Sequence, residues 1–333
     1  MDINEGFDEL QNAANADPDQ VSEARSRRDL FKKAFEPEGE VEEFILSGSL
    51  ARSTQREPIN DVDVIVVFDA GEHPEWGTDG ESAADALTYT GGRVNDLLGA
   101  TKGTVDKAVR LASPRNHAVK CFLDDPDDPN AFTVDVMPAL RQSDGTLLVP
   151  EKNSKTWIKT NPEYLISEVK SRQEQWARFR PLVRVLKLWK DVHDTGLKSL
   201  TIEVLALHHL PEETSRAKAL QRFFSAAEVA IDSSIEDPAG LCGEIQPTLD
   251  REKAKEAIKA AASNAWQAVI AQEDGDTDRA ACLWREVFGE DFPAPDCGCE
   301  TTDESSSIGE GLAIGVTGIG ITKPRPVTDA PQG

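Results

Sequence analysis

The chain has 333 residues, 39% of them hydrophobic and 29% charged, enough to bury a large core and to form two domains rather than one. Thirty-six basic residues against 60 acidic ones give a formal net charge of −24. A surface of that sign disfavours broad contact with nucleic acid while leaving room for a local basic pocket.

No run of about 18 apolar residues occurs, which excludes a spanning helix. The acidic start MDINEGFDEL lacks a basic stretch followed by an apolar one, so no secretory signal and a cytoplasmic location are expected. Cys121, Cys242, Cys282, Cys297 and Cys299 form an odd, scattered set. Such a set suits a reducing compartment rather than a disulfide framework. Cys297 and Cys299 have a single residue between them and no second ligand pair, so zinc is not expected there.

In chain order, residues 21–36 read as a helix and Val41–Leu46 as a first strand. Gly48 and Ser49 then turn the chain into a short helix, which Pro58 and Asn60 end before a strand over 61–68. A loop over His73–Gly80 precedes an amphipathic helix over Ala83–Leu98. Alternation predicts strands over Thr104–Leu111, His117–Leu123 and Ala131–Met137, the last two joined by the acidic turn DDPDDPN.

Beyond Pro150 helical patterns take over, at Pro162–Phe179, Pro181–His193, Leu200–His209, Thr214–Ala230, Asp250–Glu273 and Arg279–Phe288. The expected division is residues 1–154, 155–296 as a mostly helical lobe, and 297–333 as a flexible tail rich in Gly, Ser and Pro.

The chemistry gathers in LSGSLARSTQREPINDVDVIVVF, residues 46–68. Alternation along a strand puts Asp61 and Asp63 on one face and Val62, Val64, Val66 and Phe68 on the other, toward a core. Neighbouring carboxylates repel one another unless a cation lies between them, and Mg²⁺ favours oxygen donors. Asp135 is a lone acid in the apolar strand FTVDVMPAL, 72 residues past Asp63, so only a folded sheet could join the three. Gly48 and Ser49, at a helix start, would offer backbone N–H groups and a hydroxyl to phosphates. The expected site is therefore a two-ion centre of Mg²⁺ or Mn²⁺ held by Asp61, Asp63 and Asp135, with Gly48 and Ser49 on the β and γ phosphates of an NTP. No GxxxxGK[ST] loop occurs.

The ordered set GSLARST at 48–54, DVDVIVVF at 61–68 and VDVMPAL at 134–140 resembles the DNA polymerase β-like nucleotidyltransferases. It is most similar to their bacterial cGAS/DncV-like branch, which makes cyclic oligonucleotide signals in anti-phage defence. RPLVRVLKLWKD at 180–191, KSLTIEVLAL at 198–207 and LWREVFGEDFP at 283–293 continue the likeness. The resemblance implies an α+β fold, a palm with a mixed β-sheet joined to a helical lobe, with NTPs bound between them. It also implies that Lys187 and Ser199 contact the donor triphosphate, with Lys190 as a rival for the lysine. A product-sensing effector, a ubiquitin-ligase-like partner acting on the C-terminus and synthesis of a cyclic di- or trinucleotide are implied in the same way.

Two other readings compete: a terminal or small-substrate transferase of the same fold, and an inactive nucleotide-binding protein. No zinc cluster and no extended nucleic-acid surface is expected.

Overall fold

A computed structural model describes residues 2–99 and 108–297. The chain opens with α1 (Ile3–Ala14) and α2 (Pro18–Phe35), followed by β1 (Val41–Leu46), α3 (Gly48–Arg52), β2 (Asp61–Phe68) and α4 (Ser82–Leu98). Strands β3 (Leu111–Pro114), β4 (Val119–Phe122), β5 (Thr133–Arg141), β6 (Leu147–Glu151) and β7 (Thr156–Thr160) complete the sheet. Helices α5 (Pro162–Gln175), α6 (Phe179–Val192), α7 (Ser199–His209), α8 (Arg216–Ala230), α9 (Arg251–Glu273) and α10 (Thr277–Phe288) follow.

The sheet runs β1-β2-β5-β4-β3, with β6 beside the far end of β5 and β7 beside β6. Strands β2 and β5 are parallel, while β1 on β2 and β4 on β5 are antiparallel. The sheet is therefore mixed, and the fold is α+β.

Alternation divides this sheet into two chemically different faces. Val62, Val64, Val66, Phe68, Val134 and Val136 face one core, shared with Phe31 and Phe35 of α2 and with Leu87 and Val94 of α4. On the opposite face, Ile65, Val67, Met137 and Ala139 join Ile45, Leu147 and Val149 in a second cluster. Both faces are thus covered toward the C-terminal ends of β2 and β5, which explains the continuous apolar run of β2 after Asp63. The acids lie at the N-terminal ends, on the face that carries the second cluster.

Four expectations need correction. Of the strand expected over Thr104–Leu111, residues 104–107 lie outside the described part. Ala108–Arg110 forms no strand, and pairing starts only at Leu111. Strand patterns do not stop at Pro150: β6 and β7 form a hairpin in which Pro150 pairs with Trp157. Lysines, a tryptophan and charged turn residues hide the alternation there.

Within residues 1–154, expected as one unit, the helix read at 21–36 is part of α2 and packs on the sheet, whereas α1 does not. Ile3, Phe7, Leu10 and Ala14 recur at helical spacing and pack into the core of the helical lobe, with Phe7 edge-on to Trp284 at 5.0 Å and to Phe292 at 5.1 Å. The chain therefore starts on the helical lobe, crosses to the palm and returns.

Finally, Cys282 and Cys297 form a disulfide. A turn at Gly289–Asp291 reverses the chain after α10 and brings the two together, which the spacing of the cysteines does not reveal. The tail expected from residue 297 onward lies outside the described residues after Cys297. Among the described residues no helix is long and apolar enough to cross a membrane.

Candidate active site

Asp63 and Asp135 are register partners on adjacent parallel strands. Residues opposite one another in a ladder share a face, so both carboxylates project from the same side. Asp61 lies two residues earlier on that face, opposite Thr133, and is exposed. Asp63 is half-buried and Asp135 is buried, 7% exposed. The pairing of two distant strands thus closes a gap of 72 residues between the acids.

The polar row continues across the sheet. Ser47 N–H donates to the Asp63 carbonyl at 3.2 Å, Lys120 of β4 is the register partner of Asp135, and Ser113 of β3 is the partner of Lys120. The Lys120 ammonium lies 5.9 Å from the centroid of the Phe122 ring. Lys120 was not singled out from sequence. Its place in HAVKCFL fits the alternation, but nothing local says that this strand borders the one with Asp135.

Gly48 opens α3 with φ of +71°, a left-handed conformation that glycine adopts without a steric cost. A Cβ there would lie 1.9 Å from Asp63 Oδ2, inside any permissible contact. The backbone of the Gly-Ser turn therefore touches the carboxylate it precedes by 15 positions. Ser49 follows, partly exposed at the helix start.

The helical lobe grips the other end of this turn. Glu203 of α7 is 1% exposed and accepts Arg52 Nε at 2.8 Å, Arg52 Nη2 at 3.3 Å and Lys187 Nζ at 2.5 Å. Burial works to raise the Glu203 carboxyl, but the Arg52 and Lys187 cations outweigh it and hold it at about 2. Burial pushes the Lys187 amine below its ordinary range, with Glu203 opposing. Lys187 Nζ also donates to the Thr54 carbonyl at 2.9 Å.

Lys187 was expected at the triphosphate. The structure engages its amine with Glu203 and with the end of the Gly48–Thr54 turn, and leaves it 3% exposed. Lys190 is buried and donates to Asp191 Oδ1 at 2.5 Å. Ser199 is the exposed first residue of α7, and Lys198 rather than Ser199 holds the cap position. Glu203 itself was missed, because its only signal was a lone acid inside LTIEVLAL. Trp189 is core, 1% exposed.

By donor type, Asp61, Asp63 and Asp135 supply the hard oxygens that a hard divalent cation favours. Among the described residues, no three His, Cys, Asp or Glu side chains converge closely enough to hold an ion in this arrangement. Burial first, and the Asp135 charge second, push the Cys121 thiol well up, so no thiolate nucleophile competes.

Residues 1–172 match the family model of the Second Messenger Oligonucleotide or Dinucleotide Synthetase (SMODS) domain. The chain belongs to this family. Over 207 residues this SMODS protein is 25% identical to the cyclic AMP-AMP-AMP synthase of Acinetobacter sp. (strain ATCC 27244 / 9458), covering 57% of the chain and 59% of that synthase. A "Probable cyclic nucleotide synthase" of Bacillus cereus (strain VD146) is 24% identical over 324 residues, covering 86% of the chain and 96% of the relative. The fold is that of CdnC from E. coli MS115-1, solved with ATP: TM-score 0.68 at 17% identity, over 88% of this chain and 99% of that one. A second structure holds the E. coli protein in a CdnC:HORMA-deltaN complex.

Proposed function

We propose that this SMODS protein is a metal-dependent nucleotidyltransferase that joins NTPs into a cyclic di- or trinucleotide. The pairing of Asp63 with Asp135, beneath a glycine backbone that touches Asp63, carries the reading. Two carboxylates and a glycine turn within one side chain of each other support a site that holds cations and admits phosphates.

Asp61, Asp63 and Asp135 would hold two Mg²⁺ or Mn²⁺ ions. Such ions neutralise the triphosphate and lower the pKa of an attacking hydroxyl. Gly48 and Ser49 bind the β and γ phosphates of the donor through backbone N–H groups and the Ser49 hydroxyl. Ser199, exposed at the start of α7, adds a second hydroxyl from the helical lobe, and Lys187 supports the same end from Thr54.

A ribose hydroxyl of the acceptor sits beside Asp135, which orients it and takes its proton. The hydroxyl oxygen bonds to the donor α-phosphorus, the bond from that phosphorus to the bridging oxygen breaks, and pyrophosphate leaves. Repetition on the linear product, ended by an intramolecular attack, closes the ring.

The family's description supports a second-messenger role, and we extend it to anti-phage defence in the cytoplasm, with an effector that senses the product. The HORMA complex of CdnC supports a protein regulator for this chain too, and a ubiquitin-ligase-like partner acting on the C-terminus belongs to the same proposal.

The deciding experiment incubates purified protein with labelled NTPs and Mg²⁺ or Mn²⁺, then phosphatase, then chromatography. A phosphatase-resistant product that Asp61→Ala/Asp63→Ala cannot make is expected. Free nucleosides alone would refute cyclisation.

A further inference from the structure

One stripe of α6 and one carboxylate of α7 hold the whole segment that follows the Gly-Ser turn. Arg184 Nη1 donates to the Ser53 carbonyl at 2.9 Å, Lys187 Nζ to the Thr54 carbonyl at 2.9 Å, and Arg56 Nη1 to Asp191 Oδ2 at 3.0 Å. Residues 184, 187 and 191 recur at helical spacing and so lie along one face of α6. Residues 53, 54 and 56 are thereby laid along that helix in register.

Glu203 closes the arrangement from α7. Its two oxygens take the Arg52 fork on one side and the Lys187 amine on the other, all three side chains being almost fully buried. It lies one helical turn beyond Ser199, so the two share a face of α7. Arg52 in turn lies one turn beyond Gly48 on α3, and Gly48 is the residue pressed against the Asp63 carboxylate. A continuous mechanical path therefore runs from Glu203 through Arg52 and the α3 turn to Asp63.

We propose that Glu203 is a positioning residue of the active site: by clamping Arg52 and Lys187 together, it fixes the Gly48–Thr54 turn against Asp63 and sets where the donor phosphates rest. The statement about phosphates rests on the nucleotidyltransfer reading; the clamping of the turn does not. A bidentate arginine–carboxylate pair suits this task, because the fork fixes orientation as well as distance. A displacement of one ångström in a reacting phosphate is enough to cost about two orders of magnitude in rate.

Hydrogen–deuterium exchange on the nucleotide-free protein tests the clamp directly. In Glu203→Gln, the acceleration of amide exchange at residues 49–56 should exceed that at β2, β5 and α8–α10 by at least tenfold, the latter rising only by the loss of global stability. Arg52→Lys keeps the charge but loses the fork, and should give a smaller acceleration at the same amides; it serves if Glu203→Gln does not fold.

In turnover assays Glu203→Gln should lose at least tenfold in kcat, and Glu203→Asp should recover part of it. Uniform acceleration across both lobes would reduce Glu203 to a general stabiliser, and unchanged exchange at 49–56 would remove the clamp; either overturns the proposal. If the exchange result holds but no NTP is turned over by the wild type, the clamp stands and the nucleotidyltransfer reading falls.

Discussion

Asp63 and Asp135 oppose one another on two parallel strands, with Lys120 next in the same row. Side-by-side carboxylates cost free energy when both are ionised, and a divalent cation between them reverses the sign. Asp63→Asn should therefore abolish product formation while changing the stability of the metal-free protein by no more than about 1 kcal/mol.

The same pair predicts a shift that needs no turnover. Mg²⁺ with an NTP should raise the melting temperature of the wild type, by the equivalent of about 2.7 kcal/mol at a hundred times the dissociation constant. Asp63→Asn should lose that shift. A calorimetric scan with and without EDTA checks it, and an equal shift in both proteins would move the metal elsewhere.

Gly48 gives the sharpest steric prediction. Alanine there meets two penalties: a left-handed φ of +71° and a Cβ 1.9 Å from Asp63 Oδ2. The backbone penalty alone is about 1–2 kcal/mol. The close approach forces Asp63 or the turn to move, so the rate should fall by about 100-fold or more. Ser49→Ala keeps the backbone and should lose much less. Comparing kcat for the two variants separates backbone geometry from hydroxyl chemistry.

Glu203 predicts how stability depends on pH. Its carboxyl is held at about 2 in the folded protein, against an ordinary value of 4.5. A depressed acid stabilises the fold fully above its unfolded pKa and loses that contribution as pH falls toward its folded one. The advantage of wild type over Glu203→Gln should thus be constant from pH 7 to about 5 and shrink between about 4.5 and 2. Burial of Lys187 lowers that amine and offsets part of the gain, leaving roughly 1–3 kcal/mol. Denaturant titrations at pH 7, 5, 4 and 3 on both proteins measure it; a gap that stays the same at pH 3 would contradict the assignment.

Much of the palm was legible because its signals are local. Alternation set the faces of β2, and the apolar surroundings of Asp135 singled it out as a lone acid in a buried strand. The stripe of Ile3, Phe7, Leu10 and Ala14 is also local, but Asp2, Glu5, Asp8 and Glu9 interleave with it and mask its helical spacing.

What the chain did not disclose depends on pairs far apart in sequence. Glu203 meets Arg52 across 151 positions, and Lys120 meets Asp135 only because β4 and β5 are neighbours. Neither residue looks unusual within its own segment. Lys187 shows the limit from the other side: its helix was plain, but the partner that takes its amine lies one helix on.

The bridge between Cys282 and Cys297 yields the last prediction. After α10 the chain doubles back, and the Arg285 guanidinium binds the carbonyls of Phe292 at 3.3 Å and Ala294 at 2.8 Å. Phe292 is fully buried against Phe7, so apolar packing and hydrogen bonds already hold the strap at its middle. The disulfide adds a covalent closure over a sequence separation of 15. Loop-closure entropy for that length is worth about 3 kcal/mol, lowered by whatever order the strap keeps once reduced. Cys282→Ser should therefore destabilise the helical lobe by about 1–3 kcal/mol, and a reducing agent should lower the wild-type melting temperature toward that of the variant without moving the variant itself. Thermal scans of both proteins with and without dithiothreitol decide it: equal shifts, or none in the wild type, would show that the packing of Phe292 and the grip of Arg285 fix the strap without help from the sulfur bridge.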